Sequence, residues 1–341
     1  MLKELSLDTL DVDRLKLNNS FESCVPLASE HATLHSGEIL NLSEDQAKLS
    51  EILTKNNIAV PEGSRIDVYN PSIVFVHANC VYIAGRVELS GKLSEHESLV
   101  VFFKYENNHW IPQDLPVLKL QDPNITWVNN EMIVSGVSLA RDEENESVVY
   151  RMAFYSGPNF EHLEPLAEGP WGMKGVRIGQ LPNGKVCIYT RPQGDKGGLG
   201  NIGFTIVDSL ADFKANAETI IAEAPLLHTS FMEGEWGGAN QIIPVSTSEN
   251  VIIGHVAYRD FEGIRHYYSC SFKHNYETGE VSKMKILATR ANFPEGPAKA
   301  DDLVDIVYSA GVVEINGEWF LLAGLSDTQA GAIKIEDPML F

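Results

Sequence analysis

The sequence predicts an all-β protein, a five-bladed β-propeller at residues 65–341 that follows an N-terminal extension at 1–64 with a short helix. Three observations carry this prediction. One plan of hairpin recurs five times, nearly everything after residue 64 has strand chemistry, and a single helix pattern precedes it. Strand chemistry here means short β-branched and aromatic runs separated by Gly, Asn, Asp and Pro. A large β-sandwich with accidental spacing is the alternative fold.

The helix is predicted at residues 43–57, in SEDQAKLSEILTKNN. Ser43 and Gln46 have the spacing of a capping box at its start. The apolar face consists of residues spaced as one side of a helix requires: Ala47, Leu49, Ile52 and Leu53.

The recurring unit is a strand, a polar turn and an apolar strand that ends in a polar residue or glycine. The five copies are NPSIVFVHANCVYIAGRVE from Asn70, DPNITWVNNEMIVSGV from Asp122, VRIGQLPNGKVCIYTRP from Val176, ANQIIPVSTSENVIIGHVAYR from Ala239 and DIVYSAGVVEINGEWFLLAGLSD from Asp305. Matching points after the turns are Tyr82, Ile133, Val186, Ile252 and Phe320, in steps of 51, 53, 66 and 68 residues. Further strands are predicted at 98–106, 147–157, 200–208 and 266–275. Such steps suit one four-stranded blade each, so five blades are expected.

The charge balance excludes polyanionic partners. Lys and Arg number 26 against 47 Asp and Glu, which gives a formal net charge of -21. A field of this sign repels nucleic acid and anionic lipid surfaces. We therefore expect no nucleic-acid or membrane partner, whereas a small neutral oligosaccharide is compatible with the field. Inorganic phosphate as a co-substrate would need a local basic pocket.

The cysteines give no support for a metal or disulfide framework. Cys24, Cys80, Cys187 and Cys270 are widely spaced, without a pair at zinc spacing. We expect no metal and no organic cofactor. The N-terminus lacks an apolar leader region and no apolar run is long enough for a bilayer, so a cytoplasmic location is predicted. The oligomeric state is left open.

The hairpin repeat predicts which polar residues lie at one end of the central channel. In each hairpin the first strand starts, and the second strand ends, at that end of the channel. First-strand starts carry Asn70, Asp122, Arg177, Asn240 and Asp305. Second-strand ends carry Arg86, Arg191, His255 and Asp327. The loop MEGEWGGAN adds Glu233, Glu235 and Trp236. These residues are predicted to converge on one pocket.

Carboxylates that face one cavity suit glycosyl transfer. One acid protonates the leaving oxygen, while a second carboxylate activates the nucleophile or an incoming phosphate is itself the nucleophile. Asp122 is the candidate acid, and Glu235 or Glu233 the candidate second carboxylate. Trp236 beside Glu235 fits the stacking of a sugar ring. Structural roles stay open for Asp122, since Asp-Pro often starts a turn, and for His255 in its apolar strand.

Longer runs carry a resemblance to a known family. The runs are RANFPEGPAKADDLVDIVYSAGV (290–312), EWGGANQ (235–241), YTRPQGDKGGLGNIGF (189–204), VYNPSIVF (68–75) and AGRVE (84–88). They resemble the family catalogued as domain of unknown function 1861, also called MPT-1-like glycosidases, from about residue 65 to the C-terminus.

More distantly, the NP, DP, RP, GH and final DT of the five repeats resemble glycoside hydrolase family 130. Those enzymes are five-bladed propellers, mostly phosphorylases of β-mannosides that use inorganic phosphate. The resemblance implies that Asp122 is the catalytic acid, which in that family acts through a substrate hydroxyl. It also implies that Arg86, Arg191 and His255 hold phosphate or sugar.

We therefore expect a carbohydrate-active enzyme, a glycoside hydrolase or phosphorylase that cleaves short manno-type oligosaccharides with inversion. The other converging residues would bind the substrate: Asn70, Arg177, Trp236, Asn240, Asp305 and Asp327. The alternative is a catalytically inactive propeller that binds a sugar or a protein. It is favoured by two departures from the distant family. Gln121 and Asn124 flank the Asp-Pro pair where that family has Glu and Arg, and Gly175 follows Lys174 where that family tends to carry an acid.

Overall fold

The computed structural model describes residues 36–91, 97–142, 146–229 and 231–340. The first 35 residues of the predicted extension, with Cys24, lie outside the described residues. Within the described ranges the chain is mostly β and forms several sheets, almost entirely antiparallel, which confirms the all-β class.

Twenty strands are formed by the described residues. They are β1 Glu38–Leu40, β2 Ile66–Tyr69, β3 Phe75–His77, β4 Cys80–Leu89, β5 Leu99–Glu106, β6 His109–Leu118, β7 Gln121–Val128, β8 Glu131–Arg141, β9 Val148–Gly157, β10 Glu164–Glu168, β11 Arg177–Gln180, β12 Val186–Thr190, β13 Gly203–Val207, β14 Trp236–Pro244, β15 Glu249–Arg259, β16 Arg265–Asn275, β17 Lys285–Ala288, β18 Asp305–Ile315, β19 Glu318–Leu325 and β20 Gln329–Ile335. The α-helices are α1 Gln46–Lys55, α2 Gly194–Gly197 and α3 Leu210–Glu223. Single 3-10 turns lie at Phe160–His162, Arg290–Asn292 and Asp301–Leu303.

The five predicted hairpins are all present, as the pairs β3–β4, β7–β8, β11–β12, β14–β15 and β18–β19. Each matching point of the repeat lies in the second strand of its pair. The next strands, β5, β9, β13 and β16, add to the outside of these pairs at the predicted segments. The repeat therefore gave the strand order correctly.

The pairs belong to four hydrogen-bonded sheets. These are β2–β4–β5–β6 with β3 on β4, β7–β8–β9–β10, β11–β12–β13, and one large sheet that joins β14–β15–β16–β17 to β18–β19–β20–β1. The join is short, because β16 and β18 pair in parallel only at His266 with Asp305 and at Tyr267 with Ile306. The inner strands contact one another in turn, β4 with β7, β7 with β11, β11 with β14 and, within the large sheet, β14 with β18.

Helix α1 starts later than predicted. Asp45 is its N-cap and accepts a hydrogen bond from the amide of Lys48 at 2.9 Å. The predicted capping box is wrong, since the Gln46 amide donates to the carbonyl of Ser43 at 2.7 Å instead. Gln46 also pairs with the backbone of Ile66, accepting at 2.8 Å and donating at 2.9 Å, and so anchors the helix to β2.

The apolar face of α1 packs into the core of the first sheet. Leu49, Ile52 and Leu53 are buried there, whereas Ala47 is exposed. The preceding strand β1, too short to be evident in the sequence, pairs with β20. The described part of the extension is thus packed against both the first and the last sheets.

Helix α3 was not predicted, because the whole region after residue 64 was interpreted as strand and loop. Its N-cap Ser209 accepts from the Asp212 amide at 3.1 Å. Phe213, Ala217 and Ile221 are buried against β10 and β12. Their spacing of four residues was a helical signal in the sequence. None of the helices in the described ranges is long and apolar enough to cross a membrane.

A buried polar group between sheets predicts how stability depends on pH. The Asn250 amide donates to the Tyr189 hydroxyl at 3.0 Å, and that hydroxyl lies 2.8 Å from Nδ1 of His274. The Tyr189 proton is then directed at an unprotonated Nδ1, so the imidazole is neutral. Burial lowers the pKa of His274 to about 4.

We expect stability to decrease as the pH falls from 6.5 to 4. The unfolded chain binds the proton at a pKa of about 6.5 while the folded chain resists it, so the stabilisation is complete above that pH and lost below it. Between these pH values His274 should lower the free energy of unfolding by about 3 kcal/mol. Urea denaturation at several pH values measures how the free energy of unfolding depends on pH. As the pH falls, this free energy should decrease less steeply in His274→Gln than in the wild type. The exposed control His228→Gln should keep the wild-type slope, and an unchanged slope in His274→Gln would contradict the assignment.

Candidate active site

One cavity, of about 140 Å³, lies where strand ends from every sheet meet. It is lined by Asn70, Arg86, Asp122, Val137, Lys174, Gly175, Arg177, Arg191, His255, Arg265, Tyr267, Leu303, Ile306, Tyr308 and Asp327. Seven of the residues predicted to converge are therefore found together: Asn70, Arg86, Asp122, Arg177, Arg191, His255 and Asp327.

Asp122 reaches this cavity through a bulge at the start of β7. The pairing of β7 with β8 shifts between Gln121 and Asn124, and Asp122 has a left-handed φ of 52°. Asp tolerates this conformation better than most residues, and a bulge re-aims side chains out of the regular ladder. Oδ1 of Asp122 accepts hydrogen bonds from the Asn70 amide at 2.8 Å and from Arg86 at 3.2 Å.

The charge of Asp122 is set by these neighbours. Burial alone raises the pKa of its carboxyl, but the Arg86 guanidinium, the hydrogen bond from Asn70 and the charge of Lys174 outweigh burial. The pKa of Asp122 is therefore lowered from its usual value, so its carboxyl is ionised near neutral pH.

Arg86 is held by a second, deeper carboxylate. Glu88 is 1% exposed and accepts from Arg86 Nη2 at 2.9 Å and Nε at 3.1 Å. It also accepts from Ser98 at 2.7 Å and from Tyr69 at 2.6 Å, and it pairs with Lys299. Arg86 thus bridges Glu88 inside the protein and Asp122 at the cavity, which fixes the guanidinium in position.

Asp327 is the other carboxylate in the cavity, and its environment is different. Its backbone is also left-handed, with φ 54°, directly after β19. Burial raises the pKa of Asp327, and the nearby Asp122 charge raises it further against the opposing charge of Arg86. The two carboxyls therefore differ in proton affinity, with Asp122 the stronger acid and Asp327 the weaker one.

Five cationic side chains surround these two carboxylates: Arg86, Lys174, Arg177, Arg191 and Arg265. Arg177 is engaged by the Asn240 carbonyl at 3.2 Å and the Tyr308 hydroxyl at 3.1 Å. Arg191 uses only Nε, which donates to the Gly237 carbonyl at 3.1 Å. Within the described ranges its terminal nitrogens and the Lys174 ammonium have no hydrogen-bond partner in the protein. These two groups are the donors available to an anion.

His255 is neutral and oriented by Asn240. Its Nδ1 lies 2.7 Å from the Asn240 amide oxygen, so the proton is on Nδ1 and Nε2 is an acceptor. Burial lowers the pKa of His255 well below its usual range, and Arg191 and Arg177 lower it further. The ring stacks on Tyr267 at 5.6 Å between centroids. A neutral acceptor suits a sugar hydroxyl.

Five predicted residues are not among those that line the cavity. Glu233 is exposed, and Glu235 accepts from the Met232 amide at 2.8 Å, so that the acidic loop folds onto itself. Trp236 and Asn240 lie one layer behind: Trp236 donates to the Tyr267 hydroxyl at 3.0 Å, and Asn240 orients His255.

Asp305 is directed to the neighbouring strand. The parallel pairing of β16 with β18 places it beside His266, at 2.6 Å, and the Tyr268 hydroxyl, at 3.1 Å. The residues that β18 presents to the cavity are Ile306 and Tyr308 instead.

Sequence reasoning missed the remaining polar lining residues: Lys174, Arg265, Tyr267 and Tyr308. Lys174 had a signal, because it lies three residues before Arg177 at the start of a repeat. Arg265 and Tyr267 belong to β16, a strand that was assigned to the outside of a blade. Only the spatial join of β16 with β18 brings that end of the strand to the cavity.

The fold is shared with carbohydrate-active proteins of known structure. A mannose phosphorylase from Leishmania mexicana, MPT-4, solved with a phosphate ion, is 27% identical, with 87% of this chain and 94% of that chain covered and a TM-score of 0.71. MPT-1, a GDP-Man-dependent mannosyltransferase from the same organism, is 28% identical, with 86% and 95% covered and a TM-score of 0.71. The β-1,2-mannobiose phosphorylase of Listeria innocua has the same fold at 16% identity, with 82% and 92% covered and a TM-score of 0.56.

The chain belongs to the family described as protein of unknown function DUF1861, whose model matches residues 44–340. This confirms the closer of the two resemblances. A search of curated proteins gave no match.

Proposed function

We propose that residues 65–341, together with strand β1 of the N-terminal extension, form a five-bladed propeller with the cavity on its axis. The order of strand contacts supports it, since these run from β4 through β7, β11 and β14 to β18, and β2 contacts both β19 and β20. The large sheet then counts as two blades, joined by the two-residue contact of β16 with β18, and β1 is the outer strand of the fifth blade.

We further propose that the cavity catalyses transfer of a mannose-type sugar between a short oligosaccharide and inorganic phosphate, with inversion. The observation that carries this is the set of five cations around Asp122 in a chain of net charge -21. Glu88 and Asp302 neutralise Arg86 and Arg265. Lys174, Arg177 and Arg191 still exceed the charge of Asp122 and Asp327, and this excess favours a ligand that is itself anionic. Phosphate held by Arg191 and Lys174 beside a sugar meets that requirement.

In the proposed reaction a phosphate oxygen forms a bond to the anomeric carbon while the glycosidic C–O bond breaks. The electron pair of that bond goes to the leaving oxygen, which receives a proton from Asp122 directly or through a sugar hydroxyl. The products are a sugar 1-phosphate and a shortened oligosaccharide. His255 and Asn70 would orient sugar hydroxyls, and Arg177 holds Tyr308 in the wall.

Substrate binding prepares Asp122 for this role. In the structure the charge of Arg86 keeps the pKa of Asp122 low. A bound phosphate dianion adds negative charge beside Asp122 and competes for the cations, both of which raise the carboxyl's proton affinity. Asp122 therefore becomes an effective acid only when the co-substrate is present.

The positions of the predicted second carboxylates, Glu233 and Glu235, favour phosphorolysis over hydrolysis. Hydrolysis with inversion needs a general base to activate water. Glu233 and Glu235 do not line the cavity, so neither of the predicted second carboxylates is placed to activate water there. An anionic nucleophile needs no such base, so phosphate is the nucleophile that this site fits.

A second candidate is mannosyl transfer from a nucleotide sugar. It is favoured by the similarity to MPT-1, which extends over nearly the whole length of that protein. Both reactions place a phosphate-bearing group next to the anomeric carbon, and the same cations would hold it.

The sugar donor can be identified by incubating the protein with three mixtures: β-mannobioses with phosphate, β-mannobioses without phosphate, and GDP-mannose with mannose. We expect consumption of mannobiose only in the first mixture. Turnover of GDP-mannose alone would establish the second candidate. Sugar-dependent thermal stabilisation without turnover in any mixture would instead establish the inactive sugar-binding propeller. The cytoplasmic location stays a prediction. The absence of a metal or organic cofactor, with phosphate as a co-substrate, also stays a prediction.

A further inference from the structure

A second cleft lies beside the active-site cavity, between the first and second sheets. Its volume is about 280 Å³, and its lining residues are Asn56, Asn57, Ile58, Glu97, Ser98, Leu99, Lys119, Leu120, Gln121, Val137 and Leu139. Val137 lines both spaces. Gln121 lines the cleft while its neighbour Asp122 lines the cavity, so the two spaces adjoin at Val137 and at the start of β7.

The lining has an apolar floor and a polar rim. Ile58, Leu99, Leu120 and Val137 are buried and form the floor. The rim carries groups that both donate and accept hydrogen bonds, among them Asn56, Asn57 and Gln121. Glu97 and Lys119 contribute charges of opposite sign, both exposed. This combination fits a neutral ring with polar edges and an apolar face, which is the chemistry of a pyranose.

Hydrogen bonds link the cleft to the catalytic carboxylate. The Gln121 amide donates to Ser98 Oγ at 3.3 Å, and Ser98 donates to Glu88 at 2.7 Å. Glu88 in turn holds Arg86, which contacts Asp122 at 3.2 Å. A sugar unit in the cleft would therefore lie against the same framework that positions Asp122.

We propose that this cleft binds a further sugar unit of the oligosaccharide whose bond is cleaved at Asp122. The inference rests on the proposed function and adds to it that the preferred substrate is longer than the cavity alone can hold. Affinity should then increase when a unit is added that reaches the cleft. Each hydrogen bond gained contributes about 0.5–1.5 kcal/mol, so the increase is about 3- to 10-fold.

The test is isothermal titration of β-linked mannobiose, mannotriose and mannotetraose in phosphate-free buffer, where binding is measured without turnover. Leu139→Trp fills the cleft from β8. Ala140→Trp is its matched control, because adjacent strand residues point to opposite faces and Ala140 is exposed and lines neither space. Asn57→Gly is a milder variant, since it removes the amide and keeps the left-handed backbone of φ 66°.

We expect the gain with chain length to vanish in Leu139→Trp, to be reduced in Asn57→Gly and to persist in Ala140→Trp, with mannobiose affinity the same in all. Equal affinity for all three sugars in the wild type would overturn the inference, as would the same gain in Leu139→Trp and Ala140→Trp. Failure of the proposed function looks different: the chain-length effect on binding is present, but no mixture with phosphate or GDP-mannose is turned over.

Discussion

Replacing Asp122 with Asn should lower kcat for the phosphate-dependent cleavage by about 10²- to 10⁴-fold, the usual contribution of a positioned acid. The amide keeps the size of the side chain but has no proton of suitable acidity for the leaving oxygen. The KM for phosphate should not increase, because Asp122 carries a charge of the same sign as the co-substrate. Initial rates of sugar 1-phosphate formation measure both quantities.

Glu233→Gln is the matched control for Asp122→Asn. Glu233 is an exposed carboxylate that sequence reasoning placed in the site and that does not line the cavity. Its removal should leave kcat within about twofold of the wild type, since changes at exposed positions are mostly small. A loss in Glu233→Gln equal to that in Asp122→Asn would contradict the assignment of the acid.

Replacing Glu88 with Gln should decrease the free energy of unfolding by about 3–5 kcal/mol, which is typical when one partner of a buried ion pair is removed. Glu88 is the shared acceptor for Arg86, Lys299, Tyr69 and Ser98. Gln offers one acceptor oxygen and directs an NH₂ group at donors, so buried charge is left uncompensated. Urea denaturation at pH 7 measures the loss.

The pH dependence of this loss provides a further check. Burial raises the pKa of Glu88, but Arg86 and Lys299 outweigh burial and lower it below the usual value. The stabilisation is then complete above about pH 4.3 and is lost as the pH falls through the folded-state pKa. The difference between wild type and Glu88→Gln should shrink in that range. The exposed control Glu131→Gln should match the wild type within about 0.5 kcal/mol, and a Glu88→Gln protein of wild-type stability would contradict the role of Glu88.

The strand order could be predicted from the sequence because it depends on local signals that repeat. Turn residues and β-branched runs recur at each hairpin, and alternation within a strand decides which residues share a face. The sequence therefore predicts that Asp122 and Arg86 lie at one end of neighbouring strands, and in the structure Arg86 Nη1 is 3.2 Å from Asp122 Oδ1. Helix α3 carried a signal of the same local kind that was overlooked.

Other parts of the site depend on contacts between distant segments, which a single sequence does not encode locally. Asp305 starts a repeat like Asp122, yet it pairs with His266 because β16 joins β18. Glu235 precedes a strand that enters the site, but it is used by its own loop. Asn124, where the distant family has Arg, donates to the Asn240 carbonyl at 2.8 Å, next to Arg177 on the same carbonyl. Asn124 therefore links β7 to β14 by a hydrogen bond, and the cations that line the cavity come from other parts of the chain.

Binding of inorganic phosphate, measured by isothermal titration at fixed ionic strength, tests the central claim most directly: that the cavity is an anion site beside Asp122. We predict one phosphate bound per chain. Arg191→Met should weaken binding by about 10- to 100-fold, because a charged hydrogen bond contributes about 1.5–3 kcal/mol. Asp122→Asn should bind phosphate as tightly as the wild type or more tightly, since it removes a repelling charge. A wild-type protein that binds no phosphate, or equal binding in the wild type and Arg191→Met, would contradict the account.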